Sequence, residues 1–462
     1  MYNQKRSLDW ISLTLYLSLI VIGWLMLYSA SARELESSGF TWSSTIGRQT
    51  IWLGIALLAF IATVMINWKY WYRMAYIFYG ISIFLLLAVL LFGVEVKGAR
   101  SWIRLFGMTI QPSEFAKLTT TLALAAFLSH FRTNLRRSGF QLISVGILAL
   151  PVLLVGLQPD MGSALVFLSF VIVLYRAGLP DIYYVIFLVL STGFIMGLLL
   201  PLSVVFFIFS LLVSLWSLFV LRMKWWNWFI PFTITLLAFL LSPNVGMAPA
   251  GWLGGGLLLV YSLVLNLLQR YYRNLIILPS IVFLVVGISF LSDFAFDNLL
   301  KPHQQDRINV WLHPDKTDPH GSLYNVLQSE TAIGSGGLQG KGFRKGHMTG
   351  LSFVPEQTTD FIFSTVGEEQ GFIGSVAIVL IFLMLVLRIF QMGERSEHPF
   401  ILYYAYGLGG LLFFHFFVNI GMTMGLVPII GIPLPFISKG GSAILVFSVM
   451  MAIMLKMDNP SR

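Results

Sequence analysis

The sequence predicts an all-α polytopic membrane protein with about 14 transmembrane helices and one large extracytoplasmic loop. Three observations lead to this fold class: composition, long apolar runs and the placement of basic residues. Of 462 residues, 57% are hydrophobic and only 11% are charged, whereas soluble domains carry about 25% charged residues. This composition excludes a soluble enzyme, a nucleic-acid-binding protein and a disordered scaffold.

The predicted spans are apolar runs of a length that suits a hydrocarbon core about 30 Å thick. The first run is too long for a cleaved signal peptide and lacks a small-residue cleavage site, so we expect it to remain as a helix. The spans are placed at residues 10–31, 50–67, 74–94, 113–130, 141–157, 161–177, 183–200, 202–221, 228–242, 252–268, 275–292, 371–391, 401–422 and 441–456.

Basic residues test this count independently, because short cytoplasmic loops collect Lys and Arg. The chain holds 29 Lys and Arg against 20 Asp and Glu, a net charge of +9. With Lys5 and Arg6 placed inside, every loop predicted to be cytoplasmic is basic, which puts both termini in the cytoplasm. The cations of those loops are Lys69, Arg73, Arg132, Arg136, Arg137, Arg176, Arg222, Lys224, Arg270, Arg273, Arg388 and Arg395.

One segment, residues 293–362, breaks the apolar pattern and is predicted to be the large extracytoplasmic loop. Its first 68 residues, 293–360, contain 8 of the 20 acidic residues and many glycines. A loop of this length is usually functional or disordered, and its apolar patches argue against disorder. We expect it to fold back on the membrane surface; the alternative is a solvated, flexible loop.

Ionisable side chains also stand at the outer edges of predicted spans. Glu114 and Lys117 are three residues apart, so on a helix they share a face and can pair. They follow Arg100 and Arg104, and Asp160 lies in a short turn on the same side. The structural alternatives are a neutralising ion pair and a helix N-cap. Because ionisable residues in spans normally face a cavity or a partner, a polar cavity that opens outward is predicted here.

Motifs along most of the chain resemble those of the SEDS family (shape, elongation, division and sporulation). They occur in the family's order, and Gly340-Lys341-Gly342 resembles the elongation branch more than the division branch. The matching stretches are Tyr28 to Ser31, Arg48-Gln49, Gly98 to Ile103, Gln111 to Lys117, Gln158 to Asp160, Asp318 to Tyr324, Gln328-Ser329, Ala332 to Gly342, Phe353 to Glu356, Thr359 to Phe363, Gly367 to Glu369, Asn419 to Met422, Gly431 to Pro435 and Gly440 to Ser442.

The sequence also departs from the family pattern. Leu323 replaces a usual glycine, Glu330 a frequent lysine, Thr358 a common histidine and Lys439 a common tyrosine. The family typically has ten spans, so the resemblance implies one SEDS domain over 1–462, with about four extra helices in 180–275. An even number of extra spans keeps the large loop outside.

The resemblance implies a peptidoglycan glycosyltransferase that polymerises lipid II into glycan strands during cell elongation. Asp318 matches the family's essential loop aspartate and is the expected general base, with undecaprenyl pyrophosphate as the leaving group. Arg100, Arg104 and Lys117 are predicted to bind that pyrophosphate, with Glu114 orienting Lys117. The remaining predicted substrate-binding residues are Asp160, Gln328 and Glu356; Glu356 alternatively shapes the loop.

The resemblance further implies the surroundings of the enzyme. It places the chain in the bacterial cytoplasmic (inner) membrane, with a class B penicillin-binding protein transpeptidase and other elongation-complex membrane proteins as partners, and no nucleic acid. It requires no organic cofactor and leaves room for a divalent cation. Two alternatives stay open: a flippase or transporter of a lipid-linked sugar, and a non-catalytic cell-wall scaffold.

Overall fold

The structure is a computed structural model that describes residues 9–96, 98–105, 108–130, 133–298, 300, 302–317 and 321–458. Its elements are almost all helices. Those of the first 180 residues are α1 (Trp10–Ala30), α2 (Ala32–Ser38), α3 (Thr45–Met65), α4 (Trp68–Phe92), α5 (Pro112–Leu128), α6 (Ser138–Leu157), α7 (Met161–Val166) and α8 (Val171–Arg176).

The remaining helices follow in chain order, with short 3-10 turns at Phe167–Phe170, Trp225–Trp228 and Pro314–Lys316. They are α9 (Ile182–Leu199), α10 (Leu202–Val220), α11 (Phe229–Val245), α12 (Met247–Leu268), α13 (Asn274–Asn298), α14 (Pro302–Leu312), α15 (Ser322–Ser335), α16 (His347–Gly350), α17 (Ile362–Glu394), α18 (Pro399–Thr423) and α19 (Gly441–Asp458).

The predicted polytopic helical architecture is confirmed. In the described part of the chain, 12 helices are long and apolar enough to cross a membrane. The other two predicted spans coincide with shorter helical segments. Span 113–130 is α5, which has 17 residues, and span 161–177 is the run Met161–Arg176, in which a 3-10 turn joins α7 to α8.

One small element was not predicted from the apolar pattern. A three-stranded antiparallel sheet, β1 (Val94–Val96), β2 (Ala99–Leu105) and β3 (Met108–Ile110), lies between α4 and α5. Gly98, with φ +82°, turns the chain between β1 and β2, a conformation that glycine adopts without steric cost. The sheet carries Arg100 and Arg104 and leads directly into α5.

The chain divides into two compact units, Met1–Pro180 with Asp315–Arg462 (unit 1) and Asp181–Pro314 (unit 2). In unit 1, α5, α18 and α19 are strongly enclosed: 15 of the 17 residues of α5 are buried, and 67% and 83% of the most apolar stretches of α18 and α19 are buried. In unit 2, α10 packs along α12 and α9 along α13, where glycines and serines let the helices approach closely.

The two described ends of the chain meet in a cluster of ion pairs in unit 1. Arg388 Nη2 donates to Asp9 Oδ2 over 2.8 Å, and Arg395 Nε donates to Asp458 Oδ1 over 2.8 Å while its Nη2 contacts Asp9 over 3.2 Å. Burial alone would raise the pKa of Asp9, but hydrogen bonds from Arg388 and the Ser12 N–H outweigh it and hold that pKa below the ordinary 3.8. Asp9 therefore stays ionised at neutral pH and fixes the start of α1.

Glycines join the segment after α15 to the first turns of α17. The Lys341 N–H donates to the Glu368 carbonyl over 3.0 Å, and the Gly342 N–H donates to the Glu369 carbonyl over 2.9 Å. A Cβ on Gly340 would overlap the Glu369 carbonyl group, and Gly340 has φ +79°. Only glycine fits this close approach, which explains part of the glycine density seen in the sequence.

Replacing Gly340 with alanine should therefore destabilise unit 1. We expect G340A to lower the free energy of unfolding by about 2–4 kcal/mol, because alanine is strained at positive φ and overlaps backbone. Thermal unfolding of the purified protein in detergent measures this. G334A is the matched control, because a Cβ on Gly334 meets nothing within 4 Å. Equal melting temperatures for the two variants would contradict the packing described.

Candidate functional site

Three ionisable side chains meet inside unit 1. Lys117 Nζ donates to Glu114 Oε1 over 2.7 Å and lies 3.1 Å from His415 Nε2. All three residues are at most 3% exposed. The Phe447 ring closes one side of this cluster, 5.8 Å from Lys117 Nζ. Buried charges are this closely paired because an isolated charge in an apolar interior is very costly.

Local sequence explains how α5 presents the pair. Pro112 starts the helix with a φ already suited to it, and Glu114 lies in the first turn, where the helix dipole favours a negative charge. Lys117 follows three residues later, on the same face. The ion pair predicted from this spacing is present. Its presence is compatible both with a purely structural ion pair and with a role in substrate binding.

His415 acts as a hydrogen-bond acceptor for Lys117. Its Nδ1 lies 3.1 Å from the Pro433 carbonyl oxygen, which can only accept, so Nδ1 must carry the proton. Nε2 is then the unprotonated nitrogen that accepts from the Lys117 ammonium. His415 was missed in the sequence, although an ionisable residue inside the apolar run 401–422 is a signal of a functional site.

The cluster is not fully satisfied. Glu114 Oε2 has no hydrogen-bond partner among the described residues, and the same holds for Asn419 Oδ1. Asn419 lies one helical turn after His415 on α18, and its amide donates to the carbonyls of Asp360 and Ile432 over 2.9 and 2.8 Å. Buried polar groups left open in this way mark places where a ligand or water can bind.

Asp160 lies next to the first turn of α5. It caps α7, accepting from the Ser163 N–H over 3.1 Å, and its Oδ2 accepts from Gln111 Nε2 over 2.8 Å. The Gln111 N–H in turn donates to Ser442 Oγ over 3.0 Å. Because Gln111 precedes Glu114 by three residues, the structure brings Asp160, Glu114 and Lys117 to one region.

The two predicted arginines lie outside this buried cluster. Arg100 and Arg104 are exposed on β2, and Arg100 Nε is 3.8 Å from Glu95 Oε2, with both side chains about 60% exposed. An exposed pair of this kind contributes little to stability. The two guanidinium groups are therefore available to a ligand that approaches the sheet.

The other predicted site residues belong to the predicted large loop, residues 293–362. Gln328 is half-buried on α15, next to Ser329, whose hydroxyl donates to the Thr423 carbonyl over 2.8 Å. Glu356 is exposed, has φ +56° and accepts from Thr359 Oγ1 over 3.0 Å. Asp318 lies outside the described residues. The structure thus does not gather Gln328 and Glu356 around the Lys117 cluster by direct contact.

Glu368 is a second buried carboxylate that sequence reasoning did not assign to a site. Its oxygens accept from Lys341 Nζ (2.8 Å), the Met348 N–H (2.9 Å), the Thr349 N–H (2.8 Å) and Thr349 Oγ1 (2.7 Å). Glu368 is 0% exposed. It therefore fixes the loop between α15 and α16 to α17. The signal was the adjacent acids Glu368 and Glu369 at the edge of an apolar span.

Glu369 faces the opposite way, towards α1. Its Oε1 accepts a hydrogen bond from Ser29 Oγ, while Oε2 has no partner in the described part of the chain. Metal binding has no preformed site there. Among the described residues, no group of three or more His, Asp or Glu side chains is arranged to hold a metal ion.

Similarity to known proteins extends over almost the whole length of the chain. The family model described as cell cycle protein FtsW/RodA/SpoVE matches residues 9–219 and 199–462. The peptidoglycan glycosyltransferase RodA of Treponema pallidum (strain Nichols) is 32% identical over 449 residues, covering 94% of each chain. The peptidoglycan glycosyltransferase MrdB of Escherichia coli (strain K12) is 28% identical over 455 residues, 97% of this chain and 94% of that one.

Solved structures share the fold. A chain from a structure titled "Structural coordination of polymerization and crosslinking by a peptidoglycan synthase complex" matches with a TM-score of 0.62 at 24% identity, over 98% of each chain. The crystal structure of Thermus thermophilus rod shape determining protein RodA matches with a TM-score of 0.55 at 23% identity, over 98% of this chain and 97% of that chain. These matches confirm the resemblance carried by the motifs: the chain belongs to the FtsW/RodA/SpoVE family of membrane proteins, the SEDS family.

Proposed function

We propose that the chain is a peptidoglycan glycosyltransferase that polymerises lipid II during cell elongation. The observation that carries this proposal is the match to a relative named peptidoglycan glycosyltransferase RodA, 32% identical over 94% of both chains. The buried Glu114–Lys117–His415 cluster supports it, because ionisable side chains inside membrane helices normally face a cavity or a partner and often mark a substrate site. The multi-pass helical architecture suits a lipid-linked substrate.

The reaction joins two sugars. The acceptor 4-hydroxyl attacks the anomeric carbon of the donor, a new C–O bond forms, and the bond from that carbon to the pyrophosphate oxygen breaks. Asp318 takes the hydroxyl proton as general base in this proposal, a role that rests on the family motif that begins at this residue. General-base catalysis of this kind contributes about 10²–10⁴-fold to the rate.

Negative charge accumulates on the leaving undecaprenyl pyrophosphate. Arg100 and Arg104 are exposed on β2 and can bind phosphate oxygens in the forked geometry typical of guanidinium groups. Lys117 supplies a fixed positive charge deeper in unit 1, which Glu114 and His415 hold in place. Asp160, Gln328 and Glu356 complete the proposed substrate-binding set.

No organic cofactor enters this proposal, because lipid II already carries its leaving group. The donor set for a resident metal is also incomplete, since the described residues offer no cluster of three carboxylates or histidines. A divalent cation that neutralises the pyrophosphate is compatible with this proposal, and no step of the reaction depends on it here.

An apolar cavity offers a contact site for a short part of the lipid tail. A cavity of about 150 Å³ between α4 and α5 is lined by Trp71, Phe78, Leu85, Phe115 and Leu122, among others. The cavity wall is almost entirely apolar, because the two hydroxyl groups in its lining bind each other: Thr119 donates its hydroxyl hydrogen to Ser82 Oγ over 2.7 Å. Phe115 and Leu122 line the cavity from the same helix that holds Glu114 and Lys117, so α5 would contact both the tail and the headgroup.

The proposed setting is the bacterial cytoplasmic membrane, with both termini inside and the loop 293–362 outside. The alternation of basic loops supports this orientation. A class B penicillin-binding protein transpeptidase and further elongation-complex membrane proteins are the proposed partners. Their support is the fold shared with a chain from a peptidoglycan synthase complex.

Purified protein with labelled lipid II tests the function. We expect glycan polymer from the wild type and a loss of about 10²–10⁴-fold in D318N. D315N is the matched control, since Asp315 is an exposed acid three residues away and should leave polymerisation unchanged. If no polymer forms even with a transpeptidase partner present, the proposal is wrong. Lipid II transport that survives in D318N would favour the flippase, and neither activity would favour the scaffold.

A further inference from the structure

One long part of unit 2, residues 182–292, carries positive charge without any acidic residue. Residues 182–292 contain four cations and no acidic residue. These cations are Arg222, Lys224, Arg270 and Arg273. They lie in two turns, one between α10 and α11 and one between α12 and α13. All of the charge of residues 182–292 therefore lies in two short segments.

The two turns lie side by side at one end of unit 2. α10 and α12 run parallel, because Gly251 lies against Ser203 near their N-terminal ends and Ser217 Oγ hydrogen-bonds Ser262 Oγ over 2.7 Å near their C-terminal ends. Beyond the helices, Gln269 Nε2 lies 3.9 Å from Met223 Sδ, which joins the turns directly.

Both helices end in the same way, with an arginine in the left-handed conformation. Arg222 has φ +49° and Arg270 has φ +61°. The Met223 N–H donates to the Leu218 carbonyl over 3.1 Å, and the Tyr271 N–H donates to Asn266 O over 2.9 Å. This is the helix ending in which glycine is the usual residue. Two arginines at the same strained position place two guanidinium groups just past adjacent helix ends.

The four cations have no ion-pair partner among the described residues, and their side chains are exposed. Lys224 Nζ lies over the Trp226 ring at 4.8 Å from its centroid. Asp181 starts α9, which runs parallel to α13, as contacts of Gly193 with Val285 and of Gly197 with Ser289 indicate. Even with this acid counted, this end of unit 2 keeps a net charge of about +3.

Large aromatic side chains surround these cations. Each of them is at least 40% exposed: Trp225, Trp226, Trp228, Tyr271 and Tyr272. Exposed tryptophan and tyrosine mark the level of the lipid headgroups on a membrane protein, and clusters of Lys and Arg at that level attract anionic lipids. Charge and aromatic rings therefore coincide at one end of one unit.

We propose that this end of unit 2, formed by the turns at 221–228 and 269–273, binds the phosphate of an anionic phospholipid in the leaflet that it faces. The guanidinium groups of Arg222 and Arg270 bind the phosphate oxygens, Lys224 and Arg273 add attraction, and the aromatic rings lie along the glycerol and upper chain. This binding is separate from lipid II polymerisation, and its test does not depend on that activity.

Native mass spectrometry of the purified protein with added phosphatidylglycerol or phosphatidylethanolamine tests the proposal. The wild type should retain phosphatidylglycerol in preference. The R222Q/K224Q/R270Q/R273Q variant should bind it at least tenfold more weakly, since each cation near a membrane surface is worth about fivefold. The matched control K69Q/R73Q/R136Q/R137Q removes four exposed cations of unit 1 and should keep the preference. Equal losses in the two variants would overturn the proposal.

A second variant guards against misfolding. R222G/R270G suits the positive φ at both positions, so its melting temperature should equal or exceed that of the wild type while lipid retention falls. A folded R222G/R270G protein with full retention would overturn the proposal. Excess inorganic phosphate distinguishes the source of the anion: retention should persist in its presence, and full displacement would mean that the site binds free phosphate instead of lipid.

Discussion

Replacing Lys117 with methionine is expected to lower the free energy of unfolding by about 3–5 kcal/mol, because it leaves the buried Glu114 carboxylate without its counter-ion. Lys117 is 1% exposed and Glu114 is 3% exposed, so water cannot replace the lost partner. His415 Nε2 also loses its donor. The melting temperature of K117M in detergent measures the loss, and lipid II polymerisation by the same preparation is expected to fall to background.

A double variant separates stability from function at this pair. E114Q/K117M removes both charges, so much of the stability lost in K117M should return, because a neutral buried pair needs no counter-ion. Polymerisation should stay at background if the Lys117 charge acts on the pyrophosphate. Recovery of activity along with stability would show that the pair is only structural. R100Q is the control for charge removal alone, since Arg100 is exposed and should leave the melting temperature unchanged.

Replacing Glu368 with alanine is the second change with a large expected effect, again about 3–5 kcal/mol. It leaves Lys341 Nζ, two backbone N–H groups and the Thr349 hydroxyl without their acceptor, and each unsatisfied buried group costs about 1–3 kcal/mol. The Lys341 side chain and α16 should then lose their contacts with α17, while the backbone hydrogen bonds of Lys341 and Gly342 to α17 remain. Polymerisation should fall, because α15, which begins four residues after the predicted general base Asp318, leads directly into this loop.

Trypsin gives a local readout of this loop. Lys341, Arg344 and Lys345 are cleavage sites within five residues, and the contacts of Glu368 should protect them in the wild type. E368A should be cut here faster than the wild type at temperatures where both remain folded. E356Q, which changes an exposed glutamate of the large loop, should be cut at the wild-type rate. Unchanged protection in E368A would contradict the role given to Glu368.

Most of the membrane architecture could be predicted from the sequence, because apolar runs and basic loops are determined directly by the bilayer. It missed the three-stranded sheet, whose strands are too short to give a period. It found the Glu114–Lys117 pair, since a spacing of three on one helix is a local property. His415 contacts Lys117 from 298 residues away, and such a contact depends on tertiary packing that no local pattern encodes.

The same distinction between local patterns and tertiary packing applies to the loop between α15 and α16. Its glycines suggested tight turns, but the close approach of Gly340 to α17 and the four donors around Glu368 depend on how distant segments meet. Arg222 and Arg270 are similar cases. Their basic character was read as a topology signal, whereas their shared left-handed backbone emerges only when two helices end side by side.

The contacts between the two described ends of the chain have a consequence for membrane insertion during translation. Asp9 and Asp458 share Arg395, and Tyr16 of α1 donates its hydroxyl hydrogen to Ser448 of α19 over 2.8 Å. α1 enters the membrane before α19 during translation, and all residues of unit 2 are synthesised between them. α1 therefore remains in the lipid without its α19 contacts until α19 has been synthesised and inserted. A nascent chain stalled before α19 would leave unit 1 open and exposed to quality-control proteases.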